Sequence, residues 1–200
     1  MKFKISLLLI FVLTLIWSAI HPKDYFTWFL EVIPAIVGFI ILVVTYKQFQ
    51  FTNLVYGLVL LHSCILMVGG HYTYAEVPLF DWIREIFDQS RNNYDKIGHF
   101  AQGFIPAIIA REILIRKQVV NNLKWLNFII VSICMAISVA YEFIEWLVAA
   151  QTGEDAESFL GTQGYVWDTQ SDMLYATIGA IIALVVWSRF HNKQLHDLKI

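Results

Sequence analysis

Charge is what this sequence lacks. Only 15% of its 200 residues are Asp, Glu, Lys or Arg, and the formal net charge is −2; a soluble domain carries about 25% charged residues. Such a balance excludes a disordered chain and a basic nucleic-acid binder. Cysteine is scarce too. Cys64 and Cys134 each sit inside an apolar run, where small core residues are expected rather than a disulfide. There is no CxxC, zinc-ribbon spacing, P-loop, GxGxxG or GxSxG, so those metal, nucleotide and hydrolase signatures are missing. What is abundant is apolar: 58% of residues are hydrophobic and the mean hydropathy is +0.61. This composition predicts an all-α fold, a polytopic transmembrane helix bundle forming a single integral membrane domain over residues 1–200.

A spanning helix needs about 20 mostly apolar residues. Six segments qualify: Ile5–Ile20, Tyr25–Tyr46, Leu54–His71, Ile97–Ile115, Trp125–Ala150 and Asp172–Ser188. The first could instead be a signal peptide, since Lys2 and Lys4 precede its apolar run. Trp17 and Ile20 spoil a small-x-small cleavage site, which favours a retained first helix. With the N-terminus inside, the inner segments hold nine Lys or Arg and the outer segments four. The positive-inside rule then places both termini in the cytoplasm. The loop Gln151–Ser171 holds no Lys or Arg, as an external loop should.

Two external loops are long. In the first, Pro78 opens a stretch in which Leu79, Ile83, Ile86 and Phe87 share one helical face. Pro at the start and Asp81 in the first turn fit a helix N-terminus. A short external amphipathic helix is predicted, either lying on the membrane surface or packed as a lid on the bundle. The second loop, Gly153–Gln170, is acidic and contains glycine, with Tyr165 and Trp167 near the interface.

Ionisable residues inside a span cost about 2.5–3.5 kcal/mol each at the centre and usually face the bundle interior. Here the expected topology gathers them on the outer side. Asp95 and His99 open the fourth helix, Glu142 and Glu145 lie near the outer end of the fifth, and Asp168 and Asp172 open the sixth. His71 closes the third, and Glu31 lies near the outer end of the second. The spacings i,i+4 and i,i+3 put each pair on one helix face. A carboxylate and an imidazole one turn apart can share a metal ion or pass a proton. Several close carboxylates need compensation from protons, Lys96 or a metal. Asp95 and Asp168 also suit helix caps, and His71 suits an interfacial histidine bonded to a carbonyl. His62 reads as a core histidine, and Arg111 and Glu112 as interfacial anchors near the inner end of the fourth helix.

Several stretches resemble a known family: DKIGHF from Asp95, YEFIEW from Tyr141, FLGTQG from Phe159, WDTQSDM from Trp167, and HYTYAEVP from His71. Together they are similar to the YjdF-type family of bacterial inner-membrane proteins over most of the chain. The resemblance implies a bacterial inner (cytoplasmic) membrane and carries no reaction with it. A more distant likeness is to VanZ-like proteins, associated with glycopeptide-antibiotic resistance, which read DK-x-x-HF, E-x-x-Q and D-x-x-x-N-x-x-G. Asp95, Lys96, His99, Phe100, Glu142, Asp172 and Gly179 fit that pattern. Glu145 stands where Gln is usual and Ala176 where Asn is usual, which removes two amides from the site.

Three functions compete. The first is an outer-leaflet enzyme acting on a lipid head group or envelope precursor. In it His99, oriented by Asp95, works as general acid or base with Glu142, Glu145 and Asp172, and a divalent metal is held among Asp168, Asp172, Glu142, Glu145 and His71. The second is a small proton- or ion-coupled transporter, for which intramembrane carboxylates are typical. The third is a structural membrane protein whose polar residues glue helices together. Membrane lipids are partners in all three.

Overall fold

The computed structural model describes residues 2–152 and 162–198. The acidic first half of the second long loop, including Phe159, Leu160 and Gly161 of the FLGTQG stretch, lies outside the described residues. Seven α-helices are described: α1 (Lys2–Ala19), α2 (Tyr25–Thr45), α3 (Asn53–Tyr72), α4 (Pro78–Ile86), α5 (Tyr94–Arg116), α6 (Leu123–Thr152) and α7 (Asp168–Asp197). One 3₁₀ turn, Tyr74–Glu76, links α3 to α4. The polytopic helical bundle expected from composition is the architecture.

Five helices, α1, α2, α3, α6 and α7, are long and apolar enough to cross a membrane. The predicted fourth span became α5, 23 residues long and too polar to join them by composition. Its polar residues are instead covered by protein: Asp95, Lys96, His99, Gln102, Arg111 and Glu112 are all buried. The large apolar side chains Leu13, Val44 and Val185 are 65%, 70% and 76% exposed, the inside-out distribution of a bundle whose solvent is hydrocarbon.

Local chemistry starts the helices where the apolar runs begin. The Asp24 carboxylate accepts from Thr27 N at 2.6 Å to cap α2, and Thr52 Oγ1 accepts from Val55 N at 3.4 Å to cap α3. In α4, Pro78 sits in the first turn, where its missing N–H costs no helical bond. Leu79, Trp82, Ile86 and Phe87 are exposed, so α4 keeps an apolar face free while Phe80 packs edge-on against Tyr94.

The pair α5 and α7 forms the centre. The two run parallel, with Lys96 beside Asp172 near their starts and Arg111 beside Asn192 near their ends. Small residues permit the approach. A Cβ on Gly103 would overlap the Ala176 carbonyl, and one on Gly179 would overlap the Phe100 carbonyl. Between their polar ends lies a packed layer in which Ile105, Ile108, Ile130, Cys134, Ala180 and Ala183 are at most 1% exposed.

Candidate functional site

The site is assembled at the N-terminal ends of α5 and α7, and a loop clasp aligns them. Gln163 grips the backbone of Asn92 from both sides: Asn92 N donates to Gln163 Oε1 at 3.0 Å, and Gln163 Nε2 donates to Asn92 O at 2.8 Å. Arg91 donates to the Thr162 carbonyl at 3.0 Å. Gly164 follows with φ +80°, a left-handed turn that suits glycine, and the chain then enters α7. The Thr-Gln-Gly part of the motif is thus a fastener between two helix starts.

Behind the clasp lies a buried ion network. Lys96 Nζ donates to Asp95 Oδ2 at 3.2 Å, Asp168 Oδ1 at 2.8 Å and Asp172 Oδ1 at 2.5 Å. Arg91 reaches Asp168 Oδ1 at 2.6 Å and Asp95 Oδ2 at 3.4 Å. Asp95 and Asp168 therefore spend their carboxylates on cations, and the first N–H of α5, that of Tyr94, is taken by Asn92 Oδ1 at 3.1 Å instead. The capping alternative does not describe them. Three carboxylates face two cations here, which leaves one negative charge over.

The oxygens that Lys96 does not take turn towards His99. Its Nε2 lies 3.2 Å from Asp95 Oδ1 and 3.8 Å from Asp172 Oδ2. Ligand atoms of Asp95, His99 and Asp172 all lie within 4.8 Å of one another. Tetrahedral ligands about 2.1 Å from a metal keep about 3.4 Å between them, so these three could hold a small divalent cation with little rearrangement. On the other ring edge His99 Nδ1 meets Gln102 Oε1 at 3.2 Å, the kind of outer contact that orients a metal-binding imidazole. Glu142 Oε1 is 3.9 Å from the same nitrogen. That oxygen is buried and has no hydrogen-bond partner among the described residues.

A cavity of about 150 Å³ opens beside His99, lined by Glu31, His62, Tyr74, Asp95, Gln102, Tyr141 and Glu145 among others. Tyr141 donates to Glu31 at 3.3 Å. Pro34 and Pro106 also line it; each lacks the N–H that would bond the carbonyl one turn back, so backbone acceptors are freed beside the cavity.

The structure therefore brings together Asp95, His99, Glu142, Asp168 and Asp172, with Glu145 on the cavity wall. It does not bring in His71. That ring sits 4.5 Å from Trp17, and its Nδ1 meets the Ser18 carbonyl at 3.1 Å, the interfacial alternative. His62 turns out to line the cavity. Arg91, Gln102 and Tyr141 were missed as site residues. Arg91 stands i−4 to Asp95, a spacing that could have flagged it, but its aspartate partner on α7 is 77 residues away. Arg111 and Glu112 are not interfacial anchors: they are 5% and 0% exposed. Ala176, where the VanZ-like pattern has Asn, is fully buried against Gly103, and that contact leaves no room for an amide.

The family described as predicted membrane protein (DUF2238) matches residues 3–193. The chain belongs to the DUF2238 family. It is also 47% identical to the inner membrane protein YjdF of Escherichia coli (strain K12), over 92% of this chain and 88% of that one. No solved structure matches. The family match runs from α1 into the last turns of α7, so it takes in both halves of the polar network. In this DUF2238 chain the arrangement combines three features: ligand atoms of Asp95, His99 and Asp172 close enough that they could hold a cation, a carboxylate oxygen on Glu142 with no hydrogen-bond partner among the described residues, and an adjoining cavity lined by polar and apolar side chains.

Proposed function

We propose that this protein is an enzyme of the bacterial inner membrane. It acts at the extracytoplasmic face on the head group of a lipid or lipid-linked envelope precursor. One observation carries the reading: a buried Asp95–His99–Asp172 cluster with metal-ligand spacing shares its imidazole with a buried Glu142 oxygen, 3.9 Å from His99 Nδ1, that has no hydrogen-bond partner among the described residues. Keeping a carboxylate oxygen buried and unsatisfied costs about 1–3 kcal/mol or more, a cost that a proton-accepting role accounts for.

In this reading α1, α2, α3, α5, α6 and α7 cross the membrane and both termini are cytoplasmic. The parallel course of α5 along α7 supports α5 as the sixth pass, and the 47% identity to an inner membrane protein supports the inner membrane. A divalent cation at the cluster would polarise a phosphoryl or carbonyl oxygen of the substrate. Lys96 and Arg91 fix Asp95, Asp168 and Asp172 in place. Gln102 orients His99. Glu142 accepts a proton from the attacking water or hydroxyl, and the cavity beside Glu145 and Tyr141 receives the head group. The apolar layer at Ile105, Ile108 and Ala180 favours this one-sided chemistry over a transport path.

The test is the metal content of detergent-purified protein, wild type against His99→Ala and Asp172→Asn. A stoichiometric divalent metal, lost in both variants while they still fold, is expected. A folded wild type that stays metal-free after equilibration with magnesium, manganese and zinc would overturn the metal reading. Lipid profiles of knockout and parent cells then test the substrate class, with accumulation of one precursor expected. A phosphatase reporter fused after Ile200 should be inactive, and activity there would refute the orientation.

A further inference from the structure

A second cavity, about 300 Å³, is far from this site. It lies between the N-terminal half of α1, the C-terminal half of α2 and the N-terminal half of α3, at the opposite end of the bundle. Its wall is apolar, from Leu7 and Leu8 down to Phe11 and Phe39, which stack 4.7 Å apart. Ser63 also lines it, but its hydroxyl is already bonded to the Val59 carbonyl at 2.9 Å, so the wall offers a ligand little polarity. The one ionic group on the wall is Lys4. From Lys4 to Phe11 the slot runs about 10 Å along α1.

Lys4 is held in place without being neutralised. Its Nζ donates to Tyr46 Oη at 3.2 Å and Gln50 Oε1 at 3.4 Å, and it lies 4.7 Å from the ring centres of both Tyr46 and Tyr56. Among the described residues it meets no carboxylate. A hydrocarbon slot with a fixed, uncompensated cation at one end has the chemistry of an amphiphile with an apolar tail and an anionic head.

We propose that this groove is a binding site for one anionic phospholipid, with the upper part of an acyl chain in the slot and the phosphate on the Lys4 ammonium. The site is separate from the proposed catalytic cluster and does not depend on it.

Native mass spectrometry of the full-length protein tests this, with phosphatidylglycerol and phosphatidylethanolamine of identical acyl chains as probes. One phosphatidylglycerol per chain should be retained in preference to phosphatidylethanolamine. Lys4→Gln should lower phosphatidylglycerol retention about fivefold, the scale of one basic residue against an anionic lipid, and leave phosphatidylethanolamine unchanged. Leu8→Trp, which fills the slot, should lower retention of both. Equal retention of the two lipids by wild type, or unchanged retention in both variants, would overturn the proposal. So would a lipid-free wild-type dimer that Leu8→Trp dissociates, since a second copy would then be the occupant.

Discussion

Both ends of the α5–α7 pair bury charge, and they do it in opposite ways. At the C-terminal end Glu112 is saturated. Its oxygens take Thr52 N at 3.0 Å, Thr52 Oγ1 at 2.7 Å, Arg116 at 2.8 Å and His191 Nε2 at 3.0 Å. Arg111 completes the group through His191 Nδ1 at 3.0 Å and Asn192 at 2.6 Å. The arginine Nε atoms stay unpartnered among the described residues, but every terminal contact is made. At the N-terminal end Lys96 and Arg91 satisfy one side of the carboxylates only. The other side turns to His99, which lines a cavity with Glu145. A buried polar group that is fully paired holds helices together; one left half-paired keeps a valence for something else.

Four measurements would break or sharpen that contrast. The largest effect is expected at the closed end. Glu112→Ala strands His191, Arg116 and Thr52 and should cost about 3–5 kcal/mol in a denaturant unfolding assay; wild-type stability in that variant would dissolve the distinction. Next comes the hinge between the two ends. Gly103→Val drives a side chain into the Ala176 backbone and should cost about 1–3 kcal/mol as an overpacked core. It should also lower metal binding, because His99 and Asp172 lie one turn away.

A smaller effect calibrates a partly buried polar contact against both buried ends. Asp24→Ala removes the α2 cap and should cost about 1 kcal/mol. Hydrogen bonding from Thr27 holds the Asp24 carboxyl below its usual 3.8, against a little burial. Its contribution is therefore present above about pH 3.8 and fades as pH falls through the lowered folded-state value. A melting curve of the variant that parallels wild type across that window would remove the cap from the account. The smallest stability change is expected at the open end. Glu142→Gln, which removes a buried charge, should melt no lower than wild type yet lose function in knockout complementation. A large loss of stability there would reassign Glu142 to structure.

The sequence announced the helices well because lipid imposes a length and a polarity on each. It was less informative where helices outlast the apolar run. The sixth predicted span, Asp172–Ser188, is the middle of a helix that continues to Asp197, since Arg189–Asp197 needs no lipid to stay helical. Glu142, His99, Asp95 and Asp172 were legible because charge inside an apolar run is expensive and stands out. Arg111 and Glu112 stood out equally, yet their surroundings did not. Their partners Thr52 and His191 are 60 and 79–80 residues away, and nothing local distinguishes a buried ion pair from a snorkelling one. The Gly103–Ala176 contact was hidden for the same reason, although the resemblance had already pointed to Ala176 as a departure.

The polarity of α5 also sets a timetable. This helix is too hydrophilic to be at home in hydrocarbon, and Asp168, Asp172, His191 and Asn192, which cover Lys96 and Arg111, lie on a helix beginning 52 residues after it ends. At about 5–20 residues per second of synthesis, the segment spends roughly 3–10 s made but unpartnered. During that interval it must shelter in the insertion machinery or at the lipid–water boundary. In the proposed topology it settles into the bilayer when Asp168 and Asp172 arrive to take Lys96. The polar site and the finished topology would then be born in the same event, and a ribosome stalled before α7 is expected to leave neither.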